Sequence, residues 1–145
     1  MITDKLTIFG AGEDVTNICD LTAKCAEKLE FEPCKTVLYA TDVCADQGGT
    51  GELVILPCDI KDKVSAGRVF TYSLSGDMAD VTLLNLQNRE NTTCFEVLSG
   101  TAMSRVYVPR ISEYTWEQAF ACVSVLCAWG VSVNSAVSQI NSILK

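Results

Sequence analysis

The turn Gly10-Ala11-Gly12 is the first segment of this 145-residue chain whose residue types suit a chemical role. It follows the apolar run Leu6–Phe9 and precedes a stretch with helical periodicity, which predicts a strand, a tight turn and a helix. Backbone N–H groups at the start of a helix attract anions, so a mononucleotide or dinucleotide could bind there. The simpler interpretation is a tight turn before a helix, and the residues alone leave both open.

Two carboxylates, Glu13 and Asp14, stand at the start of the same predicted helix. They suit the positive end of the helix dipole. At about 4 Å, like charges cost roughly 1 kcal/mol in water and several times more near a protein surface. These side chains therefore oppose a phosphate bound at the turn.

Histidine is absent from the sequence, and this narrows the available chemistry. Any catalysis would have to use carboxylates, lysine, tyrosine or a thiol. The eight cysteines contain no C-x-x-C pair, which argues against a metal site. We expect most of them to be reduced thiols in the core. Cys58 follows Pro57 at the end of a predicted strand, where α/β sheets place ligands, and is either a reactive thiol or an idle one.

The charge balance argues against one class of partner. Lys and Arg number 11 against 18 Asp and Glu, a net charge of −7, and the basic residues are scattered singly. Such a surface repels a phosphate backbone, so we expect no nucleic-acid partner. No run of about 18 apolar residues predicts a membrane span. The N-terminal residues lack a secretion-signal pattern, and we expect a cytoplasmic location.

The elements that must position these residues begin with a strand–helix–strand unit. Residues 36–40 form a second apolar run after the predicted helix, and this order predicts a right-handed crossover and a parallel pair of strands. Residues 53–57 and 68–72 predict two further strands. The polar, glycine-containing residues 42–51 predict a loop.

The second half of the chain predicts a different pairing. Residues 81–87, 93–98 and 104–108 are strand candidates separated by short turns, which indicates an antiparallel meander. Two helices follow. Thr115 and Gln118 form a capping box before the first, Gly130 suits its C-terminal cap, and apolar residues over 133–143 indicate the second. The prediction is a single α/β domain, residues 1–145, with three layers and a mixed sheet that starts as a parallel βαβ unit and ends in an antiparallel meander edge.

This order of segments resembles the central, ATP-binding domain of the Mur ligases, which is a P-loop fold. Residues 68–75, RVFTYSLS, stand where that family has a strand ending in TFG, and residues 79–81, ADV, match its aDv segment. Residues 53–59 resemble its strand ending in NaDD, and residues 128–131, AWGV, its aLGi. These ligases join an amino acid or peptide to a UDP-muramyl precursor, using ATP through an acyl phosphate.

The departures from the family pattern fall at its phosphate site. The resemblance places residues 10–16 where the family has the turn G-T-N-G-K-T-T. Glu13 then replaces the last glycine and Asp14 the lysine that reaches the phosphates. Val15 removes a hydroxyl that would bind magnesium, although Thr16 lies next to it. The resemblance therefore implies a degenerate P-loop.

The second departure is at the start of the penultimate helix. The family has a histidine and two asparagines near the nucleotide, where this chain has Tyr114, Thr115 and Gln118. Only Gln118 keeps amide chemistry, and the capping box explains it without a ligand. Because of these departures we assign no catalytic residue and no metal ligand. The candidate cofactor-binding residues are Gly10, Ala11, Gly12, Thr16 and Gln118.

Two functions stay open. One is a reduced Mur-ligase-like pseudoenzyme without a cofactor, a non-catalytic binding or scaffold module linked to cell-wall precursor metabolism and peptidoglycan biosynthesis. The alternative is a nucleotide-binding enzyme or ligase subunit, using ATP and Mg²⁺ for amide ligation with domains supplied by other chains. Aromatic surface left uncovered without the family's other domains would need a protein partner, and a symmetric homodimer is the simplest one.

Overall fold

The computed structural model describes residues 4–40, 53–59 and 68–145. The predicted loop over 42–51 and one cysteine, Cys44, lie outside these ranges. In chain order the elements are β1 Leu6–Phe9, α1 Gly12–Ala26, β2 Thr36–Tyr39, β3 Leu53–Pro57, β4 Arg68–Ser73, β5 Val81–Asn88, β6 Thr92–Ser99, β7 Ala102–Pro109, α2 Trp116–Ala128 and α3 Val133–Leu144.

The seven strands form one mixed sheet whose spatial order, β1 to β7, repeats the order along the chain. Strands β1 to β5 are parallel, and β5, β6 and β7 are antiparallel. The predicted parallel start and antiparallel meander are confirmed. β4 and β5 pair over only two residues. Beside them Asp80 Oδ2 accepts a hydrogen bond from Thr71 N at 2.9 Å, so a carboxylate replaces a strand partner.

The three helices pack on one another and on one face of the sheet, where they form the main core. The alternate residues of β2 and β3 form a second, smaller cluster on the other face, which Phe9 joins by stacking on Tyr39 at 5.3 Å. Burial of both faces is typical of parallel strands. The helices of the described ranges all lie on one face, so the predicted third layer is not among these residues.

The ends of α2 and α3 follow local sequence rules. Thr115 and Gln118 make the predicted capping box, and Ser132 caps α3 by accepting from Ser135 N. Gly130 follows α2 with φ of +93°, a conformation that glycine adopts without strain. Within the described ranges, no helix is long and apolar enough to cross a membrane.

The cysteines of the described ranges are all free thiols, and Cys25, Cys94 and Cys122 are buried. Burial raises the pKa of the Cys127 thiol to about 12 and that of Cys122 well above its ordinary value. Cys122 and Cys127 therefore stay protonated at neutral pH and pack as small apolar groups in the core.

Candidate functional site

The predicted turn lies at the carboxyl end of β1, beside the end of β2. A Cβ added at Gly10 would come within 2.9 Å of Ala40 Cβ, so the close approach of two strand ends requires glycine there. Gly12 faces open space, and neither glycine has a positive φ. Packing therefore explains Gly10 without a ligand, whereas no steric contact explains Gly12.

Helix α1 begins at this turn without a side-chain cap. Ala11 has the extended backbone of an N-cap residue but offers no acceptor to the first N–H groups. Gly12 and Glu13 are exposed. The Thr16 hydroxyl donates to the carbonyl of Gly12 at 3.1 Å, which ties this candidate ligand to its own helix.

Gln118 connects the starts of α1 and α2. Its Nε2 donates to Asp14 Oδ1 at 2.9 Å. Its Oε1 accepts from Asn17 Nδ2 at 3.1 Å and from the backbone N–H of Thr115 at 3.0 Å. The side chain is 1% exposed, so both ends of its amide are used within the protein. Asp14 in the first turn of α1 is held toward α2 by this contact.

The cavity beside Gln118 is small. It measures about 40 Å³ and is lined by Asp14, Ile18, Tyr72 and Phe120 among others. Ligand pockets usually enclose roughly 300–1,000 Å³. The Tyr72 hydroxyl donates to the Tyr39 carbonyl at 2.7 Å across the ends of the strands, which helps fill this space. The arrangement leaves room for little more than a water molecule.

A second polar cluster joins α1 to the residue before the α2 cap. The Tyr114 hydroxyl donates to Asp20 and accepts from Lys24 Nζ at 2.8 Å, and Lys24 also lies 3.2 Å from Asp20. The hydrogen bond that Tyr114 donates lowers the pKa of Asp20, and the bond that Lys24 donates to Tyr114 raises the pKa of Lys24. Burial, and then the bond to Asp20, raises the pKa of Tyr114. All three groups keep their ordinary protonation states at neutral pH, so the cluster is better suited to holding α1 against the start of α2 than to proton transfer. We call Asp20, Lys24 and Tyr114 the clamp.

Cys58 lies at the ends of β3 and β4, in a pocket of about 210 Å³ that it lines with Asp59, Ser73 and Asp77. None of the described residues that line this pocket is basic. Within the described ranges, no three His, Cys, Asp or Glu side chains are grouped to hold a metal ion.

The structure brings the candidate residues of the turn and Gln118 to one end of the sheet, joined through Asp14. Sequence reasoning missed Asn17, which binds both Gln118 and the carbonyl of Glu113 at 3.2 Å. It also missed the clamp, although Asp20 and Lys24 are four residues apart, the spacing of an ion pair on one helix face.

The fold and this site define an α/β protein with a parallel sheet extended by an antiparallel meander, its candidate site at the turn after the first strand. No protein-family model and no curated protein matches the sequence. Solved structures do match it, and the three described next are all ligases.

The chain is similar to the UDP-N-acetylmuramoylalanyl-D-glutamyl-2,6-diaminopimelate–D-alanyl-D-alanyl ligase of Acinetobacter baumannii, with a TM-score of 0.68, 13% identity, and coverage of 94% of this chain and 45% of that one. It is also similar to the UDP-N-acetylmuramate–alanine ligase of Thermotoga maritima, with a TM-score of 0.61, 9% identity, and coverage of 94% of this chain and 44% of that one. A murein peptide ligase of Psychrobacter arcticus matches with a TM-score of 0.52, 15% identity, and coverage of 74% of this chain and 26% of that one. The chain has a Mur-ligase-like fold, as the order of its motifs predicted, and spans less than half the length of these ligases.

Proposed function

We propose that this Mur-ligase-like chain is a non-catalytic binding or scaffold module of cell-wall precursor metabolism in the cytoplasm, with a degenerate phosphate turn that does not bind Mg-ATP. The observation that carries the proposal is the hydrogen bond of 2.9 Å between Gln118 Nε2 and Asp14 Oδ1. Its action would be on a protein partner or on a second copy of itself.

The bond from Gln118 to Asp14 holds a carboxylate in the first turn of α1, next to the turn at which a phosphate would have to bind. It places a carboxylate, where the family has a lysine, at the mouth of a cavity of about 40 Å³. Exposed Glu13 adds a second negative charge one residue earlier. A triphosphate entering here would meet like charges and would have to break a hydrogen bond to a buried amide, which costs roughly 1–3 kcal/mol when the amide is left unpaired.

The alternative, a nucleotide-binding enzyme or ligase subunit, is favoured by one observation. The first N–H groups of α1 have no side-chain cap, and Gly12 beside them meets no atom within 4 Å of an added Cβ. An uncapped helix start is a position that an anion can occupy. In that case ATP and Mg²⁺ would act with domains supplied by other chains.

A thermal-shift titration with Mg-ATP, ADP and a UDP-muramyl peptide precursor separates the two. A ligand present at about 100 times its dissociation constant adds roughly 2.7 kcal/mol to the free energy of unfolding. For a protein of this size, that raises the melting temperature by several degrees. We expect no shift with Mg-ATP or ADP. A shift with either nucleotide contradicts the proposal and favours the alternative.

A variant pair tests the physical reason. Glu13→Gly with Asp14→Lys removes both carboxylates and restores a lysine, and we expect it to gain a shift with inorganic triphosphate. Glu30→Gly with Glu32→Lys makes the same change of charge in the exposed segment before β2 and should gain none. Equal shifts in the two variants would mean that net charge alone, not the turn, excludes phosphate.

A further inference from the structure

At the outer edge of β7, the Asn141 side chain of α3 bonds two backbone groups. Tyr107 N donates to Asn141 Oδ1 at 3.0 Å, and Asn141 Nδ2 donates to the carbonyl of Arg105 at 2.9 Å. These two backbone groups are the ones that a further strand would use. One amide of α3 therefore stands in for a strand at the edge of the sheet.

A groove lies at the C-terminal end of this edge. It encloses about 520 Å³ and is lined by Thr92, Tyr107 and Pro109 from the sheet and by Ser138, Asn141 and Ser142 from α3. Its lining offers hydroxyl and amide groups. Tyr107 is 45% exposed. Met103 lies four residues earlier on the same face of β7 and is 50% exposed. Backbone groups that can pair and side chains that can contact alternate residues are what strand addition requires.

The charge near the groove differs from that of the rest of the chain, because the second half of the sequence is neutral overall and the first half is acidic. Residues 1–80 contain 14 acidic and 7 basic side chains, while residues 81–145 contain 4 of each. Helix α3 carries no charged side chain. On β6 and β7 the charged residues are Glu96 and Arg105, which pair at 3.4 Å. Arg89 and Glu90 in the turn before β6 offset each other, so Arg110 and Lys145 give this end of the sheet its excess of positive charge, and Lys145 itself lines the groove.

This charge distribution favours one occupant. A second copy pairing antiparallel along β7 would add its own Arg110 and Lys145 to this edge, which like-charge repulsion opposes. An extended segment with acidic side chains meets Arg110 and Lys145 instead, and the acidic remainder of the chain repels it from other surfaces.

We propose that the β7 edge and its groove are a docking site for an extended, acidic peptide segment of a partner protein, which adds to the sheet as a strand and displaces the Asn141 amide. The site is remote from the turn at Gly10 and does not depend on whether nucleotide binds there. Asn141 lowers the affinity of the edge for the peptide, because the binding-competent state requires the amide to leave.

The test uses the full chain and an end-capped peptide of alternating Glu and Val, with affinity measured by calorimetry and the Tyr107 amide followed by hydrogen exchange. Asn141→Ala should bind the peptide about tenfold more tightly than the wild type, since the competing bonds are gone. Its Tyr107 amide should exchange faster without peptide and slow again with it. Asn134→Ala is the matched control, because Asn134 lies on the same helix but bonds the side chain of Ser104. It should bind as the wild type does.

Peptides with Lys in place of Glu, or with Pro in place of Val, should not bind. The proposal is overturned if Asn141→Ala does not bind the Glu-Val peptide, if it binds no more tightly than Asn134→Ala, or if the Lys peptide binds equally well. Concentration-dependent dimerisation of Asn141→Ala in sedimentation, with no peptide binding, would also overturn it and would assign the edge to a second copy.

Discussion

Helices α1 and α2 start at the same end of the sheet, yet their first turns are satisfied in different ways. Thr115 and Gln118 bond each other's backbone N–H groups at the start of α2, whereas Ala11 offers α1 no side-chain acceptor. Gln118 also reaches across to Asp14 in the first turn of α1. The comparison shows that the capped helix positions the carboxylate of the uncapped one, so the two helix starts act as one unit.

The largest effect on this unit is expected from Gln118→Ala. The change removes a buried amide and leaves Asn17, Asp14 and Thr115 N without their partner, so we expect a loss of about 2–3 kcal/mol in the free energy of unfolding. Urea unfolding measures it. Gln139→Ala, at a half-buried position of α3, should cost less than about 1 kcal/mol. Equal losses would show that the connection between the helices adds nothing.

Gln118→Glu tests the contact between residue 118 and Asp14 directly. It would set a carboxylate against Asp14, and we expect destabilisation that Asp14→Asn relieves in the double variant, because the asparagine can donate to the new carboxylate. The measurement is the coupling energy of the double-mutant cycle. If the losses in the free energy of unfolding of the two single variants simply add in the double variant, residues 118 and 14 are not in contact.

The next largest effect tests the cap of α2 alone. Thr115→Ala removes the acceptor for Gln118 N and should cost about 1 kcal/mol. Helix α3 provides the reference, since Ser132→Ala removes a cap that is made in the same way. If Thr115→Ala loses much more free energy of unfolding than Ser132→Ala, as measured with urea, the α2 cap also supports α1. If Thr115→Ala loses less than Ser132→Ala, the start of α2 does not stabilise the start of α1.

Tyr114→Phe breaks the clamp beside the cap and changes the pH dependence. The pKa of Asp20 is lowered from its ordinary 3.8, so the stability it contributes is present above about pH 4 and lost as the pH falls through the lower folded value. The pKa of Tyr114 is raised from 10.0, so its contribution is present below pH 10 and lost as the pH rises through the higher folded value.

The variant should be less stable than the wild type by about 0.5–1.5 kcal/mol between these limits. The difference should shrink outside them in unfolding curves across pH; a difference independent of pH would contradict the assignment.

The smallest effect, and the only gain, is expected from Ala11→Ser. Ala11 already has N-cap geometry, so a serine hydroxyl can accept from the first turn of α1 and add about 0.5–1 kcal/mol. Thermal unfolding measures the gain. A loss of stability instead would show that the start of α1 has another partner where the hydroxyl must go.

Local patterns in the sequence predicted most of the fold. The spacing of Thr115 and Gln118, the position of Gly130 and the short turns of the meander each fix a structure over a few residues. The contacts of the candidate site could not be predicted in this way. Gln118 meets Asp14, and Tyr114 meets Asp20, across about a hundred and about ninety residues of chain, and no periodicity encodes which polar groups a tertiary fold brings together. Gly10 illustrates the same limit, because a ligand turn and a close strand contact require the same residue.

The sequential order of the strands has a consequence for synthesis. Each strand pairs with the strand made just before it, so the sheet can extend from β1 to β7 as the chain emerges. Helices α2 and α3, which cover the apolar face of β5, β6 and β7, are made last. Until then the nascent sheet presents uncovered Val97, Val106 and Val108, a surface that favours aggregation. A chain that stopped before Trp116 would keep all seven strands of the described ranges and still lack the two helices that cover the sheet.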